Sequence, residues 1–301
     1  MKIGVSSWSM NKEFIKGMTM VDFVRVVKED FGADAVEMVH WMVGNISSEG
    51  AEKMSFAFEQ FSNPDKDPEK IQKAIGGFME VMDEMSLNKP ENLEEVKLAL
   101  EKYGVKVLNM PIDYGNISGL DEEKRKSDLA VIKSWIDIAA YLGSTGARVN
   151  TGQQPDGVFD LSITADSYRE LAEYAETKGV ALVLENHGGM SADPKNILKL
   201  FEMVDHPNFR VCPDFGNFEP EIRYEAIDMI FNNPILVHAK TYEFNEDGSH
   251  VQFDFGKCMD IAKKHNYDGY YSVEFEGPGD QREGIQKTID LLKKCVNPIK
   301  Q

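Results

Sequence analysis

The sequence predicts an α/β fold, a single (β/α)8 barrel carrying a helical insertion after its second strand. Three observations predict it. Short apolar runs bounded by turn residues recur eight times along the chain. Amphipathic stretches of helical spacing separate most of them, the pattern of successive βαβ units around a parallel sheet. The 301 residues suit one such barrel, which takes about 250 residues and tolerates insertions.

The strands are expected at residues 3–7, 35–39, 105–109, 147–150, 180–185, 209–214, 235–240 and 270–274. Helical patterns fall at 121–141, 163–178, 194–204, 224–231, 256–265 and 282–295. Local chemistry marks several ends. Gly104 and Gly179 each stand between a helix and a strand, where a left-handed C-terminal cap is needed. Asp193 followed by Pro194 is an N-cap followed by proline in the first turn. Asp121, Glu122 and Glu123 open a helix with acid, which its dipole favours.

One stretch breaks the rhythm. Residues 41–88 contain no strand pattern, although connections from strand to helix usually run about two to six residues. Met54, Phe56, Phe58 and Phe61 precede the loop 63–68, and a helical pattern follows at 71–85. The whole chain, 1–301, reads as one domain with 41–88 inserted in it. The insertion leaves the C-terminal face of the barrel and is expected to be an extra helix, serving as packing against the barrel or a second subunit, or as a lid over a pocket.

The net charge of −18 opposes general binding to phosphate backbones. No run of about 18 apolar residues suggests a membrane span. The first residues lack the apolar core of a secretion signal. Cys212, Cys258 and Cys295 form neither an even set nor a CxxC pair, so disulfides and zinc ribbons are not expected. A reduced, cytoplasmic protein with no nucleic-acid or membrane partner is the expectation, and the apolar insertion leaves a homodimer open.

Functional side chains of such barrels project from the C-terminal ends of the strands. From the fifth strand onward, each strand is apolar until one metal-competent residue: Glu185, Asp214, His238 and Glu274. Alone, each reads more readily as a salt-bridged carboxylate or a core histidine. In register on four successive strands, about 4.8 Å apart, they can converge on one ion. Three carboxylates and an imidazole suit Mn²⁺, Mg²⁺, Co²⁺ or Zn²⁺, and Mn²⁺ is the expected ion. A carboxylate cluster buried without a cation is costly.

The runs Leu184-Glu185-Asn186-His187-Gly188-Gly189, Pro213-Asp214-Phe215-Gly216-Asn217-Phe218, Val237-His238-Ala239-Lys240 and Tyr267-Asp268-Gly269-Tyr270-Tyr271-Ser272-Val273-Glu274-Phe275-Glu276-Gly277 resemble the xylose-isomerase-like TIM barrels, within them the sugar phosphate isomerase/epimerase group. The resemblance runs from about residue 100 to the C-terminus and is looser at residues 3–9. It implies a metal-dependent isomerase or epimerase acting on a sugar or keto-sugar. A proton beside a carbonyl would leave to a carboxylate while the ion holds the enediolate charge. By the same resemblance Glu185 and Glu274 double as the acid/base pair. A lyase or dehydratase acting on a keto-inositol or 3-keto-glycoside is the alternative, with a non-catalytic sugar-binding or partner subunit behind it. An abasic-site endonuclease is opposed by the acidic charge and by only six histidines.

Further residues complete the expected site. His187, two beyond Glu185, lies on the same side if the strand persists, and either orients a hydroxyl or acts as base. Lys240 would bind a hydroxyl, hold an oxyanion or pair with a carboxylate. Arg148 would clamp substrate or pair with Glu185. Glu37 and His40 at the end of the second strand are expected to line the pocket, with Asp113 a weaker candidate. Trp8 and Trp41 would give an apolar wall for a sugar ring, although each reads more simply as core.

Overall fold

The computed structural model describes residues 1–63 and 65–296. Eight parallel strands alternate with helices: β1 (Lys2–Ser6), β2 (Ala35–Glu37), β3 (Lys106–Ile112), β4 (Gly146–Val149), β5 (Ala181–Glu185), β6 (Phe209–Cys212), β7 (Leu236–Thr241) and β8 (Tyr270–Phe275). The helices are α1 (Asn11–Ile15), α2 (Met20–Glu29), α3 (Ser48–Ser62), α4 (Pro68–Leu87), α5 (Leu93–Tyr103), α6 (Glu122–Tyr141), α7 (Leu161–Thr177), α8 (Pro194–Val204), α9 (Arg223–Ile230), α10 (Phe255–Lys264) and α11 (Gln281–Val296).

The strands run β6-β5-β4-β3-β2-β1-β8-β7. The remaining seam, β6 against β7, closes through the parallel bridge Asp214–His238. It is supported by Ile235 N–H to Val211 O at 3.0 Å and His238 N–H to Pro213 O at 3.0 Å. The curled sheet is therefore a (β/α)8 barrel, and it closes at two of the expected ligands.

The period of two along each strand sorts the interior into layers. Ala35, Leu108, Val183, Cys212 and Leu236 form an apolar cluster inside the sheet. Two residues further along the same strands stand Glu37, Glu185, Asp214 and His238. The outer faces, with Val36, Leu184, Val211, Val237 and Val273, pack into the main core beneath the helices. β3 breaks the alternation. Its register with β2 skips Leu108, pairing Val36 with Val107 and then Glu37 with Asn109. That bulge turns both Leu108 and Asn109 inward, and Asn109 Nδ2 donates to Glu37 Oε2 at 2.8 Å.

The expected caps are present. Gly104 adopts φ 62° and Gly179 φ 70°. Asp193 accepts from Lys195 N ahead of Pro194, and Asp121 accepts from Lys124 N. The insertion differs from the expectation of one extra helix. It holds two, α3 and α4, which pack on each other through aromatic contacts such as Phe58–Phe78, 6.2 Å between ring centroids. The helix expected to end at Gly104 is α5, whereas α1 and α2 had not been expected. Among the described residues no helix is long and apolar enough to cross a membrane.

Candidate metal centre and substrate cavity

Glu185 closes β5, Asp214 follows β6, and His238 and Glu274 lie within β7 and β8. All four are buried, and each offers one ligand atom within 4.8 Å of the others. The sequence-predicted set is thus brought together by the barrel's own register.

Each side chain is aimed by its neighbours. Asn186 braces the Asp214 backbone twice: its Oδ1 accepts from Asp214 N at 2.7 Å and its Nδ2 donates to Asp214 O at 3.1 Å. Asp214 Oδ1 then accepts from Gly216 N at 2.6 Å and Asn217 N at 2.9 Å, leaving Oδ2 for the cluster. Asn217 Nδ2 donates to Glu185 Oε1 at 3.2 Å. His238 places Nε2 3.0 Å from Glu37. Nδ1 lies 2.9 Å from Glu185 Oε1, 3.5 Å from Asp214 Oδ2 and 3.7 Å from Glu274 Oε2. A carboxylate behind a ligating imidazole fixes its tautomer and raises its basicity.

Two cations frame the carboxylates. Arg148 pairs with Asp113 and, through Nε at 3.1 Å, with Glu185 Oε2. Lys240 Nζ lies 3.0 Å from Glu274 Oε2, 3.1 Å from Glu276 Oε1 and 3.5 Å from Asp214 Oδ2, and donates to Asn217 Oδ1 at 3.0 Å. Glu185 Oε2, Asp214 Oδ2 and Glu274 Oε2 are nevertheless buried without a hydrogen bond. Glu185 Oε1, Asp214 Oδ2 and Glu274 Oε2 lie 2.9, 3.5 and 3.7 Å from one imidazole nitrogen, His238 Nδ1, and this donor set fits a divalent cation, because the buried carboxylates outnumber the two cations beside them.

The ionisation of the cluster reflects that strain. Burial pushes Glu274 up to about 8, with Glu276 and Glu185 adding to the rise against Lys240 and His238. Burial works the same way on Glu185, but the charges of His238, Arg148 and His187 hold it well below the usual carboxylate range. Burial would depress His238, yet Cys212, Glu37, Glu185 and Glu274 hold it well above an ordinary imidazole.

Above the cluster opens a cavity of about 350 Å³ lined by Trp8, Trp41, Arg148, Asn150, His187 and Glu274 among others, with Phe78, Met79, Met82 and Asp83 contributed by α4. Other candidates sit differently from expectation. β5 ends at Glu185 and the chain turns, His187 N–H donating to Glu185 O at 2.9 Å, so His187 reaches the cavity as an exposed loop residue. Glu37 and His40 do not line it. Glu37 lies behind His238, because the inward side of β2 at that level faces the imidazole and not the mouth. His40 is fully buried, its Nε2 2.7 Å from Ser86 Oγ and its Nδ1 accepting from Asp113 N at 3.2 Å. Asn109, Asn186, Asn217 and Glu276 were not anticipated. Their one signal was an amide or acid at an inward or strand-end position amid apolar residues.

The chain matches the xylose isomerase-like TIM barrel family over residues 68–295, and it belongs to that family. Among curated proteins, inosose dehydratase of Histophilus somni (strain 129Pt) is 22% identical over 247 residues, 67% of this chain and 80% of that protein. The alpha subunit of C-glycoside deglycosidase from Arthrobacter globiformis is 34% identical over 79 residues, 26% of this chain and 21% of that protein. Among solved structures, 3-keto-D-glucoside 4-epimerase from E. coli superposes with a TM-score of 0.65 at 18% identity, covering 98% of this chain and all of that one (100%). At such identity the structural likeness speaks for the fold.

Proposed function

We propose that this protein is a divalent-metal-dependent isomerase or epimerase acting on a sugar or keto-sugar by proton transfer at the carbon beside a carbonyl. The observation that carries it is the buried convergence of carboxylate oxygens of Glu185, Asp214 and Glu274 on His238 Nδ1, at 2.9, 3.5 and 3.7 Å. These four residues would hold the ion, with Mn²⁺ as the proposed occupant and the oxygen-rich donor set equally open to Mg²⁺. Bound there, a divalent ion supplies positive charge to the carbonyl oxygen and its neighbouring hydroxyl.

The remaining chemistry belongs to the chain. Glu185 and Glu274 stand on β5 and β8 with β6 and β7 between them, so a substrate carbon between the two meets a carboxylate from each side. One takes the proton and the other returns it, which inverts the carbon; return by the same group, at the neighbouring carbon, isomerises. Arg148 and Asn217 hold Glu185 in place for this. Lys240 does the same for Glu274 and is set to steady negative charge that develops on a substrate oxygen. His187, exposed at the rim, is placed to bind a hydroxyl.

Elimination is the second reading. The same proton abstraction expels a group β to the ketone when that group is held in the cavity, and dehydration and deglycosylation are named among the relatives. Residues 41–88 act in both readings as a wall over the site, since α4 supplies one side of the cavity.

The test follows solvent deuterium entering carbon-bound positions by NMR, in D₂O with Mn²⁺, across ketoses, aldoses and 3-keto-glycosides. Exchange lost in Glu185→Gln supports proton abstraction, and the product separates epimerase from lyase. Absence of exchange on every compound, with one metal ion bound per chain, refutes the reading.

A further inference from the structure

The cavity has two unlike halves. One is polar and lies over the ligand cluster, with Arg148, Asn150, His187, Glu274 and Glu276. The other is mainly apolar: Trp8, Phe78 and Met79 border it, over the buried Val39, Trp41 and Met82, with Asp83 the charged residue that α4 adds. Its aromatic rings form a backed surface. Trp8 meets Trp41 edge-on at 6.4 Å between centroids and Phe58 of α3 at 6.1 Å, and Phe58 in turn supports Phe78. Met79, 51% exposed, extends this surface at the mouth of the cavity.

Charge narrows what can enter. Asp83, Asp113, Glu274 and Glu276 border the cavity, against Arg148 and the imidazole of His187. Arg148 is already paired with Asp113 and Glu185. Lys240, beneath, is paired with Asp214, Glu274 and Glu276. Even with a bound divalent ion counted beside Arg148 and Lys240, a phosphate dianion would meet more carboxylates than cationic charge.

We infer that the substrate is an uncharged keto-glycoside carrying a flat, apolar aglycone, and not a sugar phosphate. The sugar's keto edge lies over the ligand cluster, which rests on the proton-transfer reading above, and the aglycone lies against Trp8, Phe78 and Met79, with the buried Trp41 behind Trp8. A free sugar would leave the apolar half facing hydroxyls it cannot satisfy. An aromatic aglycone buries the rings and the thioethers together.

The test compares three probes on the Mn²⁺-loaded protein by calorimetry: phenyl 3-keto-β-D-glucopyranoside, its methyl counterpart, and glucose 6-phosphate. The phenyl compound should bind at least about tenfold tighter than the methyl one, a difference of about 1.4 kcal/mol, and the phosphate weakest. Met79→Glu, at a position exposed enough to tolerate charge, should cut the preference for phenyl; Phe78→Ala should do the same. Equal affinities for phenyl and methyl, or tightest binding of the phosphate, overturn the inference. If that happens while the methyl compound still exchanges deuterium, the proton-transfer reading stands without it. Phenyl preference with no exchange on either compound supports the aglycone site and overturns the proton-transfer reading instead.

Discussion

His40 should make this fold acid-sensitive in a definable window. The ring is wholly buried, edge-on to Trp135 with 5.0 Å between ring centroids. Ser86 Oγ spends its proton on Met82 O at 2.6 Å, so His40 Nε2–H must donate to Ser86 and Nδ1 must accept from Asp113 N–H. The neutral imidazole is therefore fully bonded, and a second proton would point Nδ1–H at a backbone N–H. Burial pushes His40 down to about 4 from an ordinary 6.5, with the Arg148 charge assisting and Asp113 opposing. The sign follows directly. The folded state prefers the neutral form, so its stability is full above the unfolded value of about 6.5 and is lost as pH falls toward 4. A shift of about 2.5 units at 1.36 kcal/mol each is a loss of about 3 kcal/mol. The assay is chemical denaturation of the metal-stripped protein at steps from pH 7 to pH 4, wild type against His40→Asn, whose amide can still accept from Asp113 N–H. His250, also pushed down to about 4 by burial, is common to both proteins and cancels in the difference. The wild type should lose about 3 kcal/mol more than the variant across the window. Parallel curves would refute the assignment of a buried, neutral His40.

Glu37→Gln should fold normally, because Asn109 can still bond an amide oxygen, but it removes the carboxylate behind His238. Metal affinity should fall roughly 10- to 100-fold, read by competition with a fluorescent chelator. Gly277→Ala should be poorly tolerated, since a Cβ there would lie 1.7 Å from Tyr242 O. Forcing β7 and β8 apart costs roughly 1–3 kcal/mol or more, read as a lower thermal midpoint together with weaker metal retention, because Glu274 and Glu276 ride on the displaced strand. Asp214→Asn keeps the backbone bonds to Gly216 and Asn217 available to its oxygen, yet its nitrogen faces the cluster. Elemental analysis should find well under one metal ion per chain.

The ligand set was legible because it depends on only two regularities, the period of two along a strand and the habit of barrel strands to carry function at their C-terminal ends. Glu185, Asp214, His238 and Glu274 each terminate an apolar run, and the parallel register did the rest. What surrounds them was legible only in proportion to how regular its backbone is. His187 was placed by assuming that β5 continued, and a turn at Glu185 moved it to the rim. Glu37 was assigned to the pocket because it ends a strand. The bulge at Leu108 brings Asn109 inward beside it, and its carboxylate is spent on orienting His238. His40 looks from sequence like a pocket-lining histidine, but only the tertiary contact with Ser86, 46 residues away, shows it as a buried tie between the inserted α4 and the barrel. The insertion is the extreme case. Its helices carry apolar residues whose period reveals a packed face without saying against what. Phe78 and Met79 acquire a meaning only once α4 is laid beside Trp8 and Trp41, and it is that juxtaposition, not any motif, that distinguishes the cavity of this chain from a bare metal site.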